Sequence, residues 1–263
     1  MFYSFVFLLL FSLVSCRQIS YSPFDNRVEP ANIIQDELSK LSSLESSMSY
    51  PFKIAFISDT HNDYDELQDF IDYINRNSSE YAFVIHSGDV TSHGTKREYD
   101  VFKRIVQKLN RPLFVTIGNH DAFNNGASIF EKLFGNWNYS FTFKDVRIVV
   151  LADINWELPE TPNYSWLENT LSSSILNHQI VVTHIDPLDK ERFSTSLRDR
   201  FSQIMNTSSY KVDYVINGHT HQSSDFHPSG SVRQLDAGQT TAQRFFYALE
   251  FTGTGINEET VHY

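Results

Sequence analysis

The chain has 263 residues, 41% hydrophobic, 20% charged and 14% aromatic, a globular composition that excludes a disordered or low-complexity protein and leaves room for one large domain. Its formal charge of −11 repels phosphate backbones, so nucleic-acid binding is not expected. A single cysteine excludes a disulfide framework and any cysteine-based structural zinc site.

Residues 1–15 carry no charged side chain, and twelve of the first fourteen are apolar or aromatic. Such a run is too short to cross a bilayer and has the length of a signal-peptide core. Cys16 follows at once, and Leu13-Val14-Ser15-Cys16 resembles the bacterial lipobox, in which the cysteine becomes the first residue and carries the lipids. The segment lacks the Lys or Arg usual at the start of such signals. An ordinary cleaved signal peptide ending at Cys16 and a buried N-terminal strand are the other readings. Either export reading makes the protein periplasmic, secreted or membrane-anchored through Cys16. Residues 16–50 are polar and serine-rich and read as a tether. Within it, Pro30 followed by Ile34, Leu38, Leu41 and Leu44 predicts a short amphipathic helix that packs on the domain.

From residue 51 onward the pattern is that of one α/β domain. Apolar runs predict strands at 52–57, 81–85 and 113–117, with helices over 64–77 and 95–109 between them, a β-α-β-α-β order. A short helix is expected near 127–134. Residues 139–143 and 146–152 alternate as a hairpin turning at Lys144-Asp145. Residues 163–173 are weakly helical, 179–183 a strand, 188–206 a helix and 212–217 a strand. Residues 232–235 and 245–251 read as antiparallel strands.

Five of the strand-like runs end in polar clusters. They are Ser58-Asp59-Thr60-His61, Ser87-Gly88-Asp89, Gly118-Asn119-His120-Asp121, Thr183-His184, and Asn217-Gly218-His219-Thr220-His221. Ligands of α/β sheets bind beyond the carboxyl ends of strands, so these clusters can converge. Asp, His and Asn together suit a borderline-to-hard divalent ion such as Mn, Fe or Zn. Singly, each cluster could be an ordinary turn. As an ordered set, they point to a metal site.

Asp59-x-His61, Gly88-Asp89, Gly118-Asn119-His120-Asp121, His184 and Gly218-His219-x-His221 resemble the motif set of the calcineurin-like metallophosphoesterases, in family order and with no ligand position missing. The resemblance implies a four-layer α/β/β/α sandwich of two mixed β-sheets flanked by helices. It also implies two divalent transition-metal ions. Asp59, His61 and His221 would hold the first, Asn119, His184 and His219 the second, and Asp89 would bridge them. A hydroxide between the metals would attack phosphorus, with His120 donating a proton to the leaving group or binding a phosphate oxygen, and Asp121 orienting or charge-balancing its imidazole. His93, just past Asp89, could line the cleft; His86, His178, His227 and His262 read as packing or surface histidines. Purple acid phosphatases place a tyrosine three residues after the Gly-Asp aspartate, where Ser92 stands here. The pattern is nearer the bacterial group of class III cyclic-nucleotide phosphodiesterases, with a small-molecule or lipid phosphoester as substrate. One alternative is a binding or structural protein on an exhausted enzyme scaffold, which loss of a ligand position would mark, and none is lost; a second is a metal-binding lipoprotein with a non-catalytic role.

Overall fold

The computed structural model describes residues 22, 25–173, 176–222, 224–229 and 232–263. The expected export segment 1–15 and Cys16 lie outside the described residues. In chain order the elements are α1 (Ile33–Glu45), β1 (Phe52–Ile57), α2 (Tyr64–Arg76), β2 (Tyr81–His86), α3 (Lys96–Val106), β3 (Leu113–Val115), α4 (Gly126–Phe134), β4 (Tyr139–Phe143) and β5 (Val146–Val150). Then follow α5 (Tyr164–Ser172), β6 (His178–Val182), α6 (Thr195–Met205), β7 (Tyr214–Asn217), β8 (Ser224–Ser229), β9 (Val232–Asp236), α7 (Thr240–Gln243), β10 (Phe245–Phe251) and β11 (Ile256–His262).

The strands form two mixed sheets, in the orders β11-β10-β1-β2-β3 and β4-β5-β6-β7-β9-β8. In the first, β1, β2 and β3 run parallel, while β10 and β11 are antiparallel additions. In the second, β5, β6, β7 and β9 run parallel between antiparallel edges β4 and β8. Side chains along a strand alternate between faces, and this alternation sorts the second sheet into two apolar layers. Ile148, Val150, Ile180, Val182, Tyr214 and Ile216 join the core between the sheets. Val149, Val181 and Val215 join the core beneath α5 and α6, with Leu167, Leu171, Phe201 and Ile204. On the far side, Leu67, Phe70, Ile71 and Ile74 of α2 cover the first sheet, where Phe70 meets Phe246 edge-on at 5.2 Å. The result is the expected four-layer α/β/β/α sandwich.

Rings knit the two sheets together. Phe83 of β2 lies edge-on to Phe114, Phe141 and Phe143 at 5.6, 5.5 and 5.8 Å, and Phe114 stacks on Phe141 at 4.0 Å. The helix expected within residues 16–50 is α1, and it buries Ile34 and Leu41 in the same core. Its Glu37 is also buried and accepts the Leu113 N–H at 3.1 Å.

Two expected elements differ. The helix expected over 188–206 begins only at Thr195, capped by the Ser194 side chain. Before it, Asp186 accepts the Leu188 N–H at 2.8 Å, and Asp189 accepts those of Glu191 and Arg192 at 2.7 Å. These side chains take backbone donors that a helix would need, so the segment turns instead. The strand at Val232–Asp236 pairs in parallel with β7 rather than joining an all-antiparallel tail.

Because Phe83 contacts three rings from two other strands, Phe83→Ala should lower unfolding free energy by about 3–5 kcal/mol. A denaturant midpoint shift at unchanged slope would register it.

Candidate metal centre

The loops after β1, β2, β3, β6 and β7 meet at one end of the sandwich. The His61 N–H donates to the Asp89 carbonyl at 3.0 Å, the Asp59 N–H to the Gly88 carbonyl at 3.0 Å, and the Gly218 N–H to the His184 carbonyl at 2.9 Å. Two ligand groups result. Ligand atoms of Asp59, His61 and His221 lie within 4.8 Å of one another, and so do those of Asp89, His184 and His219. Asn119 joins the second group, its Oδ1 lying 3.0 Å from His184 Nε2.

Each buried carboxylate has one oxygen fixed and one open. Asp59 Oδ2 accepts the His219 N–H at 2.9 Å, and Asp89 Oδ1 accepts the His120 N–H at 2.9 Å. Asp59 Oδ1 and Asp89 Oδ2 are buried and, among the described residues, accept no hydrogen bond. Asp59 Oδ1 lies 3.4 Å from His221 Nε2 and 3.9 Å from His61 Nε2. Asp89 Oδ2 lies 3.2 Å from His184 Nε2 and 3.9 Å from His61 Nε2, so it faces both groups. Buried unpaired carboxylate oxygens are costly unless a cation meets them. The donor set therefore fits two divalent ions.

Backbone carbonyls set the imidazoles. His61 Nδ1 donates to Thr91 O at 3.2 Å, and His184 Nδ1 to Ser87 O at 2.9 Å. Each bond fixes the tautomer and leaves the Nε2 lone pair to ligate. His86, buried behind the site, accepts the Gly88 N–H at Nδ1 (3.2 Å), so its Nε2–H donates to Thr60 Oγ1 at 3.0 Å. Burial pushes His86 down to about 3, which keeps this neutral tautomer throughout the working pH range. Burial alone would depress His184 as well, but the adjacent Asp89 charge outweighs it and lifts His184 to about 10. Burial depresses His219 to about 4, with the His184 charge and the Arg192 guanidinium adding to the effect.

The backbone is strained where it carries ligands. Asp59, His61, Asp89, His219 and His221 have φ of 52°, 45°, 57°, 74° and 57°. Left-handed residues other than glycine cost about 1 kcal/mol or more and persist only where surroundings enforce them. Two glycines permit the close approach. A Cβ on Gly118 would sit 2.1 Å from Asp89 Oδ1, and one on Gly218 would sit 2.3 Å from Asp59 Oδ2.

The expectation that Asp121 orients His120 does not hold. The Asp121 carboxylate is buried and accepts the N–H groups of Val90, Thr91 and Gly118 at 3.2, 2.9 and 3.0 Å, and the Thr91 hydroxyl at 2.8 Å. It ties the Asn119 loop to the Asp89 loop, and burial raises it to about 7, with Asp89 adding. The partner of His120 is a carbonyl: its Nδ1 donates to Ser92 O at 2.8 Å. His120 stands edge-on to His61, ring centroids 5.0 Å apart, and 4.8 Å from the ring of Phe123. His93 is exposed, and its Nδ1 lies 3.3 Å from Glu98 Oε1.

Three positioning residues carry no strand-end histidine or Gly-Asp signal in the sequence. Asp153 accepts the N–H groups of His184 and Ile185 at 3.1 and 3.2 Å. Asp236 accepts the Thr220 hydroxyl at 2.7 Å, holding the turn between His219 and His221. Thr240 accepts the Ser58 N–H at 2.8 Å, anchoring the strand end before Asp59.

Gly118→Ala should displace the Asp89 carboxylate and lose divalent-ion binding. In wild type, saturation at about 100 times Kd should add about 2.7 kcal/mol of stability, reversed by a chelator. Thermal melts with and without Mn(II) should show that gap in wild type and none in the variant.

Residues 52–223 match the family model for calcineurin-like phosphoesterase. The chain is 28% identical over 192 residues to a probable cyclic nucleotide phosphodiesterase of Ruthia magnifica, covering 68% of this chain and 76% of that one. It is 40% identical over 60 residues to the probable glycerophosphodiester phosphodiesterase GpdQ of Arcobacter nitrofigilis, covering 23% of this chain and only 22% of that protein's length. A dimetal phosphatase from Danio rerio superposes with a TM-score of 0.63 over 81% of this chain and 99% of that one, at 14% identity, a likeness of fold. With the family model spanning every one of the five strand-end loops, the chain belongs to the calcineurin-like phosphoesterase family, hydrolases of phosphoric ester bonds.

Proposed function

We propose that the protein is an exported phosphoesterase hydrolysing small phosphomonoesters or phosphodiesters at the strand-end centre. The observation that carries this reading is the pair of open oxygens, Asp59 Oδ1 and Asp89 Oδ2, buried among imidazole nitrogens. In this reading Asp59, His61 and His221 hold one divalent ion, Asn119, His184 and His219 hold a second, and Asp89 is shared. Bound there, such ions supply neutralisation of phosphoryl charge and an acidified water. The two relatives named above carry phosphodiesterase names, which supports diesters among the substrates.

The chain's own residues supply the rest. Ser92 O accepts the Nδ1–H of His120, so in the imidazolium form the second proton sits on Nε2, and this is the proton given to the departing alcohol oxygen, leaving neutral imidazole. The hydrogen bond to Asp89 comes from the His120 backbone, so it survives removal of the ring. His120→Ala should therefore keep its metal content while kcat falls roughly 10²–10⁴-fold, and by less for a good leaving group such as p-nitrophenolate. Asp89→Asn should lose both metal and turnover. Metal analysis paired with rates on good and poor leaving groups checks the contrast. Equal metal loss in the two variants would remove His120 from the acid role.

We also propose that residues 1–15 direct export and that Cys16 carries a lipid, on the support of the Leu-Val-Ser-Cys junction after an uncharged apolar run. Among the described residues no helix is long and apolar enough to cross a membrane, and α1 spends its apolar face on the core. Cys16→Ala should abolish acyl labelling and release the protein from the membrane fraction. Retention in membranes would place the anchor elsewhere.

A further inference from the structure

Among the described residues only two large apolar side chains are exposed, Phe123 and Trp156, and Trp156 is the more open at 58%. Trp156 belongs to a short bracket that follows β5 on the side of the sandwich where the ligands converge. Asp153 at its start holds the backbone of His184. Asn155 donates to the Arg192 carbonyl at 3.0 Å. Glu157 at its end pairs with the Arg192 guanidinium, Oε2 to Nη2 at 2.5 Å and Oε1 to Nη1 at 3.4 Å. The guanidinium lies over the Trp156 ring, 4.3 Å from its centroid.

Arg192 itself is only 8% exposed, and its buried Nε–H donates to nothing among the described residues. A side chain that merely answered Glu157 would not need to leave a donor unmet. What the arrangement achieves is a rigid, charge-backed indole: one face rests on the guanidinium and the ring remains largely open to solvent. An open aromatic face on a segment whose Asp153 holds the backbone of the ligand His184 can serve as a stacking platform.

We propose that Trp156, held by Arg192, is a specificity subsite that stacks on a planar aromatic ring carried by the substrate's alcohol. This rests on the phosphoesterase reading above. The ring is either a nucleobase or a simple aryl group, and both present the same π face.

The test compares three phosphomonoesters on the full chain loaded with Mn(II): adenosine 5′-monophosphate, phenyl phosphate and glycerol 3-phosphate. They share a phosphate and differ in the ring. Affinity is read by calorimetry and turnover by phosphate release. Wild type should prefer a ring-bearing ester to glycerol 3-phosphate. Trp156→Ala should reduce that preference ratio by about 5- to 150-fold, the range for losing one base-on-aromatic stack. Trp156→Phe should retain most of it. Trp156→Leu, which keeps apolar bulk without a π face, should behave as the alanine variant and guards against misfolding of the latter. Preference for the nucleotide alone assigns a nucleobase; equal preference for phenyl phosphate assigns any aryl ring. An unchanged ratio in Trp156→Leu, or equal weakening toward all three esters, would overturn the subsite. Turnover without ring preference defeats the subsite and leaves the phosphoesterase intact. Ring preference lost on mutation, but with no turnover of any ester, defeats the hydrolytic reading and leaves the subsite standing.

Discussion

Two buried carboxylates organise this molecule. Asp59 and Asp89 are almost wholly withdrawn from water, each with one oxygen tied to a backbone N–H and the other left open. Two negative charges in such a place repel each other and lack hydration, an arrangement that only cationic partners can offset. The coupling shows in the neighbours: the Asp89 charge raises His184, and the His184 charge lowers Asp89, each against its burial. The left-handed backbone at five ligand positions is the steric counterpart of this constraint. The chain bends against its preference to aim side chains at one point, and the sandwich holds it there.

The sandwich can do so because parallel strands deliver their carboxyl ends to a common edge. β1, β2 and β3 come from one sheet, and β6 and β7 from the other, so the centre lies where two rigid layers abut. Much of this was legible in the sequence. Continuous apolar runs mark strands covered on both faces, and every such run that ends in Asp, Asn or His lies at the centre. The polar strand β11, Ile256–His262, was invisible because it is an edge strand with no apolar alternation to betray it. The start of α6 was misplaced because aspartate turns resemble a helical first turn until the direction of the side chains is known.

Direction also separates the roles of neighbouring residues. His120 and Asp121 are adjacent in the motif, yet the carboxylate turns inward to clasp the Thr91 loop while the imidazole leans on the Ser92 carbonyl. Sequence adjacency suggests a pair; the geometry shows two separate braces on the same pair of loops. Asp153 and Asp236 were missed for the related reason that each acts through another residue's backbone or hydroxyl, at positions where the sequence offers only an aspartate near a strand end.

The buried Glu37 of α1 has a consequence at the opposite extreme of scale. β3 is an outer strand of its sheet, and the Leu113 N–H donates to the Glu37 carboxylate. An uncovered strand of phenylalanine and valine is a template on which a second chain can add by hydrogen bonding. The helix ahead of the catalytic body thus serves as a selvedge, finishing the fabric of the sheet so that it does not continue into a neighbour.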